Sequence, residues 1–496
     1  METSTILYTV AALLPIILFY RWRFANYYDI PTVGPSAPVL SYLGAFRYMK
    51  HAREMLEEGY QKYKGGVFKI AMLDRWIIVV TGPKLVDELR RAPDHQLSFV
   101  EAIQDILQIK WVFGHEIEKD PLHIEIIRVQ LTRQLANVFS DIRDEVVAAY
   151  DDYMPSTEDW SPVYMLPIMQ RVVARVSSRV FVGLPMCRNS KYLDLAINHT
   201  HTVSRTRKLF TWVPEPLKWI VGQFIKESHR SVQLGLYYLQ PLIEERIENL
   251  RKYGGAWTGK PNDFLQWMIE ISLEKGKTID TIVRSILVTN FAAIHTSSNS
   301  FTHAIYHLAA NPDYMQPLRE EVEAVIKEEG WTKAAMQKLR KVDSFLRESQ
   351  RMNGINGISV TRKVLEPITL STGHYLPAGT IVAAPTRSTH LDEQYYSDPE
   401  VFNPWRFADM RDGDSGESTK YQFVSTSVDY IPFGHGKHAC PGRFFAANEL
   451  KAMFAHMVLN YDLKLENEGV RPENVWFANL IVPSPTARVL YRKRRD

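Results

Sequence analysis

Cysteine is nearly absent: the 496 residues hold two, Cys187 and Cys440. Two thiols so far apart exclude a disulfide framework and suit a reducing compartment. Net charge is also small, +3 from 59 Lys and Arg against 56 Asp and Glu. That excludes the strong basic footprint of a nucleic-acid binder, so no nucleic-acid partner is expected. No Gly/Ser/Pro-rich linker, internal repeat or low-complexity tract divides the chain. One large unit is therefore expected despite the length, and 45% hydrophobic content gives it a large core.

Long uncharged runs are scarce, and two stand out. Thr3 to Tyr20 is mostly apolar and is followed at once by Arg21 and Arg23. This is the short end of a membrane-spanning helix, and Pro15 would kink it. Basic residues on its far side predict a cytoplasmic remainder. A cleaved signal peptide would want a positive start and a small-residue cleavage site, whereas Glu2 precedes the run and Arg, Trp and Tyr follow it. Residues 1–23 thus read as an uncleaved anchor, 24–36 as a hinge stiffened by Pro31 and Pro35, and 37–496 as the main domain. The second run, Ser285 to Pro312, carries three histidines and many Ser, Thr and Asn. That pattern predicts a helix through the middle of the core, not a second span.

Between these, Val67 to Ala71 and Trp76 to Thr81 predict a hairpin, and Gly357 to Ala383 a small sheet. Ile124 to Phe139 has helical apolar spacing and carries Arg128 and Arg133. Phe210 to Phe224 is rich in Trp and aliphatic residues, fitting either a patch dipping into a bilayer interface or a buried helix pair. Cys187 reads as packing, Asn198-His-Thr200 as an unused glycosylation sequon, and Lys493 to Asp496 as a solvated tail.

The richest stretch runs from Tyr430 to Ala447. It places Cys440 in a Gly- and Pro-bearing loop just before a helical stretch, Phe444 to Val458. Gly434 and Gly436 permit a backbone that passes close to a flat ligand. A thiol at a helix N-terminus favours its anionic form, which suits an axial ligand for haem iron. A zinc site of His435, His438 and Cys440 is the weaker reading, because a structural zinc wants four ligands. Upstream, Glu348 and Arg351 lie three apart on a helical stretch, so they share a face and can pair. Arg406 follows in Phe402-Asn-Pro-Trp-Arg-Phe.

Phe433, Gly436, Cys440 and Gly442 resemble the haem-binding signature of the cytochrome P-450 family, F-x-x-G-x-R-x-C-x-G, with His438 in the arginine position. Ala292-Ala-Ile-His-Thr-Ser297 is similar to the family's oxygen-activation motif: Ala293 stands for the glycine, His295 for the acid, Thr296 and Ser297 for the hydroxyl pair. Glu348 and Arg351 match its E-x-x-R, with Arg406 as the downstream partner. The resemblance implies a mainly α fold with a small β-rich lobe, a single large haem-binding catalytic domain. It implies haem b held by Cys440, with His438, Arg362 and Arg128 toward the propionates and Phe433 and Gly436 shaping the loop. It also implies O2, a lipophilic substrate at a pocket drawn from 99–113, the helix around Ala292, 355–359 and 480–483, and electrons from an NADPH-cytochrome P-450 reductase. Arg133, Lys437 and Arg443 are candidate contacts for that reductase. The phrases around Cys440 and His295 look fungal and favour a terpenoid in secondary metabolism, with the chain anchored in the endoplasmic reticulum membrane. A haem-thiolate isomerase or dehydratase, or a non-catalytic haem or sterol binder, stands as the alternative.

Overall fold

The computed structural model describes residues 27, 29–37, 39–213, 215–225, 227–413 and 419–495, with Pro15 alone before them. The predicted anchor, Pro15 apart, lies outside the described residues. Among the described residues, no helix is long and apolar enough to cross a membrane. The second half of the predicted hinge is not a free spacer. Thr32 bridges in parallel to Lys69, Val33 donates its N–H to Lys69 O at 3.0 Å, and Ile30 and Val33 are buried. The apolar side chains of Ile30 and Val33 have a sheet edge to cover, and burial outweighs the stiffness of the linker.

Helices dominate, as expected. The organising one is Ile279–Ala310, capped by the Thr278 hydroxyl, which accepts the Thr281 N–H at 3.3 Å. Nearly all of it is buried, and Met165–Phe181, Ser190–Trp212 and Glu227–Tyr253 pack around it. Its Ser and Thr side chains satisfy themselves by bonding back: Ser285 to Thr281 O, Thr289 to Ser285 O and Thr302 to Ser298 O. This is how a polar, uncharged run crosses an apolar core without orphaned hydroxyls.

The β-rich lobe is a five-stranded sheet in the order Val67–Ala71, Trp76–Val80, Ile381–Pro385, Ile358–Val364, Leu97–Ser98. The predicted hairpin forms, pairing Val67 with Val80. The register of Ile358–Val364 shifts between Ser359 and Arg362, where Val360 takes φ 51°. That bulge re-aims the strand around Arg362. A separate hairpin, Val475–Phe477 with Leu480–Val482, leans on the 356–357 backbone through Gly357 N–H to Asn479 O at 2.6 Å.

Two expectations fail. The single helix over 124–139 is broken into Leu122–Ile126, a π-helical turn at Ile127–Leu131, Thr132–Gln134 and a new helix from Phe139. One extra residue is absorbed in the π turn, and it rotates everything after it. The C-terminal tail is tied down: Arg488–Lys493 is the middle strand of a three-stranded sheet, Arg494 pairs with Glu323 at 2.5 Å, and Arg495 donates to Glu158 O.

Candidate active site

The Cys440 loop is built by its own backbone. Gly434 and Gly436 sit at φ 72° and 73°, and a Cβ on Gly436 would lie 2.4 Å from Arg90 Cγ, so only glycine fits there. Cys440 N–H donates to Phe433 O at 2.8 Å, closing the loop, while the Phe433 ring packs edge-on to Phe423 at 5.6 Å. Helix Arg443–Asn460 begins after Gly442 with no side-chain cap. The Cys440 sulfur accepts the free N–H groups of Gly442 and Arg443 in its place. The thiol reaches solvent, yet dense packing around the sulfur pushes its pKa up. The two N–H bonds and the Arg443 charge oppose that rise. Arg443 also donates to Cys440 O at 2.8 Å and to Val424 O at 3.2 Å.

Beside the loop lies a second cluster. Arg362 is 2% exposed; its one hydrogen bond is to Thr361 O at 2.9 Å, and Nη2 has no partner among the described residues. Burial pushes its pKa down to about 10, against the nearby Asp94 charge. Asp94 is engaged elsewhere, by His438 Nε2 at 2.6 Å and Lys437 Nζ at 3.0 Å. The His438 ring stacks on Phe99 at 5.4 Å, and Arg362 lies over the same ring at 5.8 Å. Phe99 is held there because Ser98 caps its helix, accepting the Glu101 N–H at 3.1 Å. A buried guanidinium without an anion is costly, so this geometry fits an anionic group that completes it. The carboxylates of a haem set on Cys440 are of that kind. Arg128 lies exposed on the π turn, and its charge is felt by Arg443 at the start of the helix that follows Cys440.

On the long helix, Ala292 is exposed and Phe291, Ala293 and Thr296 are half-buried, although Val288 to Asn290, Ile294 and Ser297 to Asn299 around them are buried. Exposure inside a core helix marks an internal void at this turn. Thr296 donates to Ala292 O at 2.7 Å and lies 3.2 Å from Ala293 O, loosening the helix where it borders the void. His295 points elsewhere. Its Nε2 is 2.9 Å from Ile197 O, Nδ1 is 3.4 Å from Gln170 Nε2, and burial lowers its pKa. Ser297 is buried on the opposite side, bonded to Glu449 of helix Arg443–Asn460.

Glu348 accepts two hydrogen bonds from Arg351, both at 2.8 Å, and one from Arg406 at 3.1 Å, all three residues being buried. Sequence reasoning missed what this trio is tied to. Arg351 donates to His390 O at 2.7 Å, and the His390 ring receives Ile431 N–H at Nε2, 3.0 Å, with Nδ1 3.1 Å from Arg351 O. Burial pushes His390 down to about 3, so the ring is neutral, with Nδ1 donating and Nε2 accepting. The chain entering the cysteine loop is thereby fixed to the Glu348 network. Glu449 was also missed: nothing in its local sequence distinguishes a buried acid from a helix-surface one. Among the described residues, no group of three or more His, Cys, Asp and Glu side chains is placed to hold a metal ion. His435 instead meets Thr426 at 3.1 Å.

The family model described as Cytochrome P450 matches residues 31–491. A relative from Postia placenta, "Cytochrome P450 monooxygenase 151", is 50% identical over 491 residues, 98% of each chain. "Cytochrome P450 monooxygenase CYP512U6" of Ganoderma lucidum is 36% identical over 498 residues, covering 100% of this chain and 97% of that one. Among solved structures, "Retinoic acid bound cyanobacterial CYP120A1" superposes with a TM-score of 0.70 at 20% identity, over 94% of this chain and 99% of that one.

Proposed function

This chain belongs to the cytochrome P450 family of monooxygenases, and from that membership we propose that Cys440 holds the haem of an enzyme that oxidises a lipophilic terpenoid. The family uses a haem-thiolate iron, a small-molecule substrate, O2 and a redox partner. The observation that carries the placement is the Cys440 sulfur, cradled by two helix-start N–H groups beside the unpaired Arg362 cation.

In this reading Cys440 would supply the thiolate that holds the haem iron, its charge spread by the Gly442 and Arg443 N–H groups. Bound haem would supply oxygen activation, with the thiolate favouring O–O cleavage. Arg362 and His438 bind the propionates, Arg362 as the permanent charge and His438 as a hydrogen-bonding partner held by Asp94. Phe433 and Gly436 keep the loop flat enough for a macrocycle to lie on it. Thr296 turns its hydroxyl from Ala292 O toward the void, where it holds a water and passes protons. Ala293 leaves room for the gas molecule. His295 and Ser297 act behind the helix: they fix its turn and do not touch oxygen. Electrons come from an NADPH-dependent reductase that meets basic residues around the loop, exposed Arg133 and half-buried Arg443 among them, while Lys437 is engaged with Asp94.

The stretch 1–23 anchors the chain in the endoplasmic reticulum membrane. Exposed Leu217, Trp219, Ile220 and Phe224 on helix Glu215–Phe224 support a second, shallow contact. The test is direct. Ferrous protein under CO should give the Soret position typical of thiolate ligation, and Cys440→Ser should abolish it. With reductase and NADPH, a panel of terpenes should yield hydroxylated products. Iron-free protein, or a Soret position typical of imidazole, would rule the reading out.

A further inference from the structure

Helix Ser190–Trp212 lies over the void. Its Val203 is buried in one cluster with Val112, Phe113 and Val288, with Phe291 of the long helix alongside. Helical spacing puts Arg207 and Phe210 on the same face as Val203. Phe210 is buried against Trp111, rings stacked at 5.1 Å. Arg207, between them, is half-buried against this apolar roof.

Arg207 differs from the arginines around it. Outer-face Arg205 has Glu227 at 4.0 Å, and Arg171 has Asp194 at 3.2 Å. Among the described residues, the Arg207 guanidinium has no hydrogen bond and no ion pair within 4 Å. The acid that influences it is Asp74, whose carboxylate is already bonded to Arg75 Nε at 2.7 Å. Burial lowers the Arg207 pKa, with the Asp74 charge opposing. Next in sequence, Lys208 places Nζ 4.3 Å above the ring of Phe477, on the hairpin that leans against the 356–357 backbone. Phe477 and Leu480 of that hairpin are 41% and 43% exposed.

An apolar roof and an apolar wall therefore meet at a cation that, among the described residues, has no hydrogen-bonded or ion-paired partner. Such a cation is retained at a desolvation cost unless something else completes it. A guanidinium presents parallel N–H donors that match one carboxylate, and a charge-assisted pair of that kind is strong where water is partly excluded. We infer that Arg207, with Lys208 beside it, seats the carboxylate of an amphipathic substrate whose hydrocarbon body lies between the helix roof and the Phe477–Leu480 hairpin. The inference deepens the monooxygenase reading and rests on it: the substrate is a lipophilic acid, held by its charged end while the hydrocarbon is oxidised.

The experiment is equilibrium dialysis of the full-length haem-loaded protein at low salt against three matched pairs: palmitic acid, abietic acid and oleanolic acid, each with its methyl ester. At least one acid should bind about tenfold tighter than its ester. Arg207→Gln should bring that acid down to its ester while leaving ester binding and the melting temperature unchanged, and Arg207→Lys should keep part of the preference. If no acid exceeds its ester, including the case in which nothing binds, the inference is wrong. It is equally wrong if Arg207→Gln weakens acid and ester alike, which would mark a structural role. Loss of binding to phosphatidylserine vesicles with an unchanged acid-to-ester ratio would assign Arg207 to a lipid headgroup. Turnover with reductase and NADPH separates the two readings: oxidation of esters without acid preference leaves a monooxygenase and removes only the carboxylate.

Discussion

Arg362 is sealed from water with, among the described residues, one side-chain hydrogen bond and no partner for Nη2, so its energetics should reverse with haem content. In haem-free protein the charge is uncompensated, and Arg362→Leu should raise the melting temperature or leave it unchanged. In loaded protein the same change removes a charge-assisted bond of about 1.5–3 kcal/mol, so haem should transfer to apomyoglobin roughly ten to a hundred times more readily. A variant that destabilises both forms equally would show that Arg362 is merely structural. Glu449 gives a second residue-scale test. It is fully buried, with Ser177 donating at 2.6 Å, and burial pushes its carboxyl up to about 8. Here the folded state keeps a proton that the unfolded chain releases, so stability falls as pH rises from about 4.5 to about 8 and is flat above. Glu449→Gln should remove that part of the slope in urea melts taken across the window. An unchanged slope would mean the acid is ionised in the fold.

At the scale of elements, the Glu348 network couples three segments to the entry of the cysteine loop. Arg351 and Arg406 share one carboxylate, and His390 carries the coupling to Ile431. Glu348→Gln strands two buried guanidinium groups, at a cost of about 3–5 kcal/mol. The expected outcome is haem-poor protein with a lowered urea midpoint, and normal haem content with an unshifted midpoint would contradict it. This trio was legible in sequence because Glu348 and Arg351 are one helical turn apart, a spacing that fixes contact before any tertiary structure is known. The cysteine loop was legible for the same reason: its geometry is set by Gly434, Gly436 and neighbouring backbone bonds. What failed depended on rotation about a helix axis. The helix expected over 124–139 is interrupted by a π turn at Ile127–Leu131, and apolar spacing does not reveal one inserted residue. His295 aligned with an acid in the motif, yet its neighbours Ile197 and Gln170 lie on other helices. The same limit hid His390, Glu449 and Arg207, whose roles come from partners distant in sequence.

Across the whole molecule, the exposed apolar side chains are not evenly spread. Leu217, Trp219, Ile220 and Phe224 are 49%, 62%, 40% and 78% exposed on one short helix, and Val39, Leu40, Leu43 and Phe46 on the first described helix and its approach are more than half exposed. Exposed patches of this size mark interaction surfaces. A bilayer accounts for the Trp and the aliphatic content together, because the indole prefers the interface and the aliphatics the hydrocarbon beneath it. The anchor proposed for residues 1–23 and this patch would then act additively, and their contributions separate. A chain starting at residue 27 should fold and still sediment with lipid vesicles. Adding Trp219→Glu and Ile220→Glu should weaken that binding by roughly ten- to a hundredfold per side chain, from about 1.5–3 kcal/mol of lost burial each. The same double change in the full-length protein should leave it on the membrane if residues 1–23 are the proposed anchor, because a spanning segment binds far more strongly than any interfacial helix. If the truncated chain has no vesicle affinity to lose, residues 217–224 belong to a protein contact and the first 23 residues carry the membrane attachment alone.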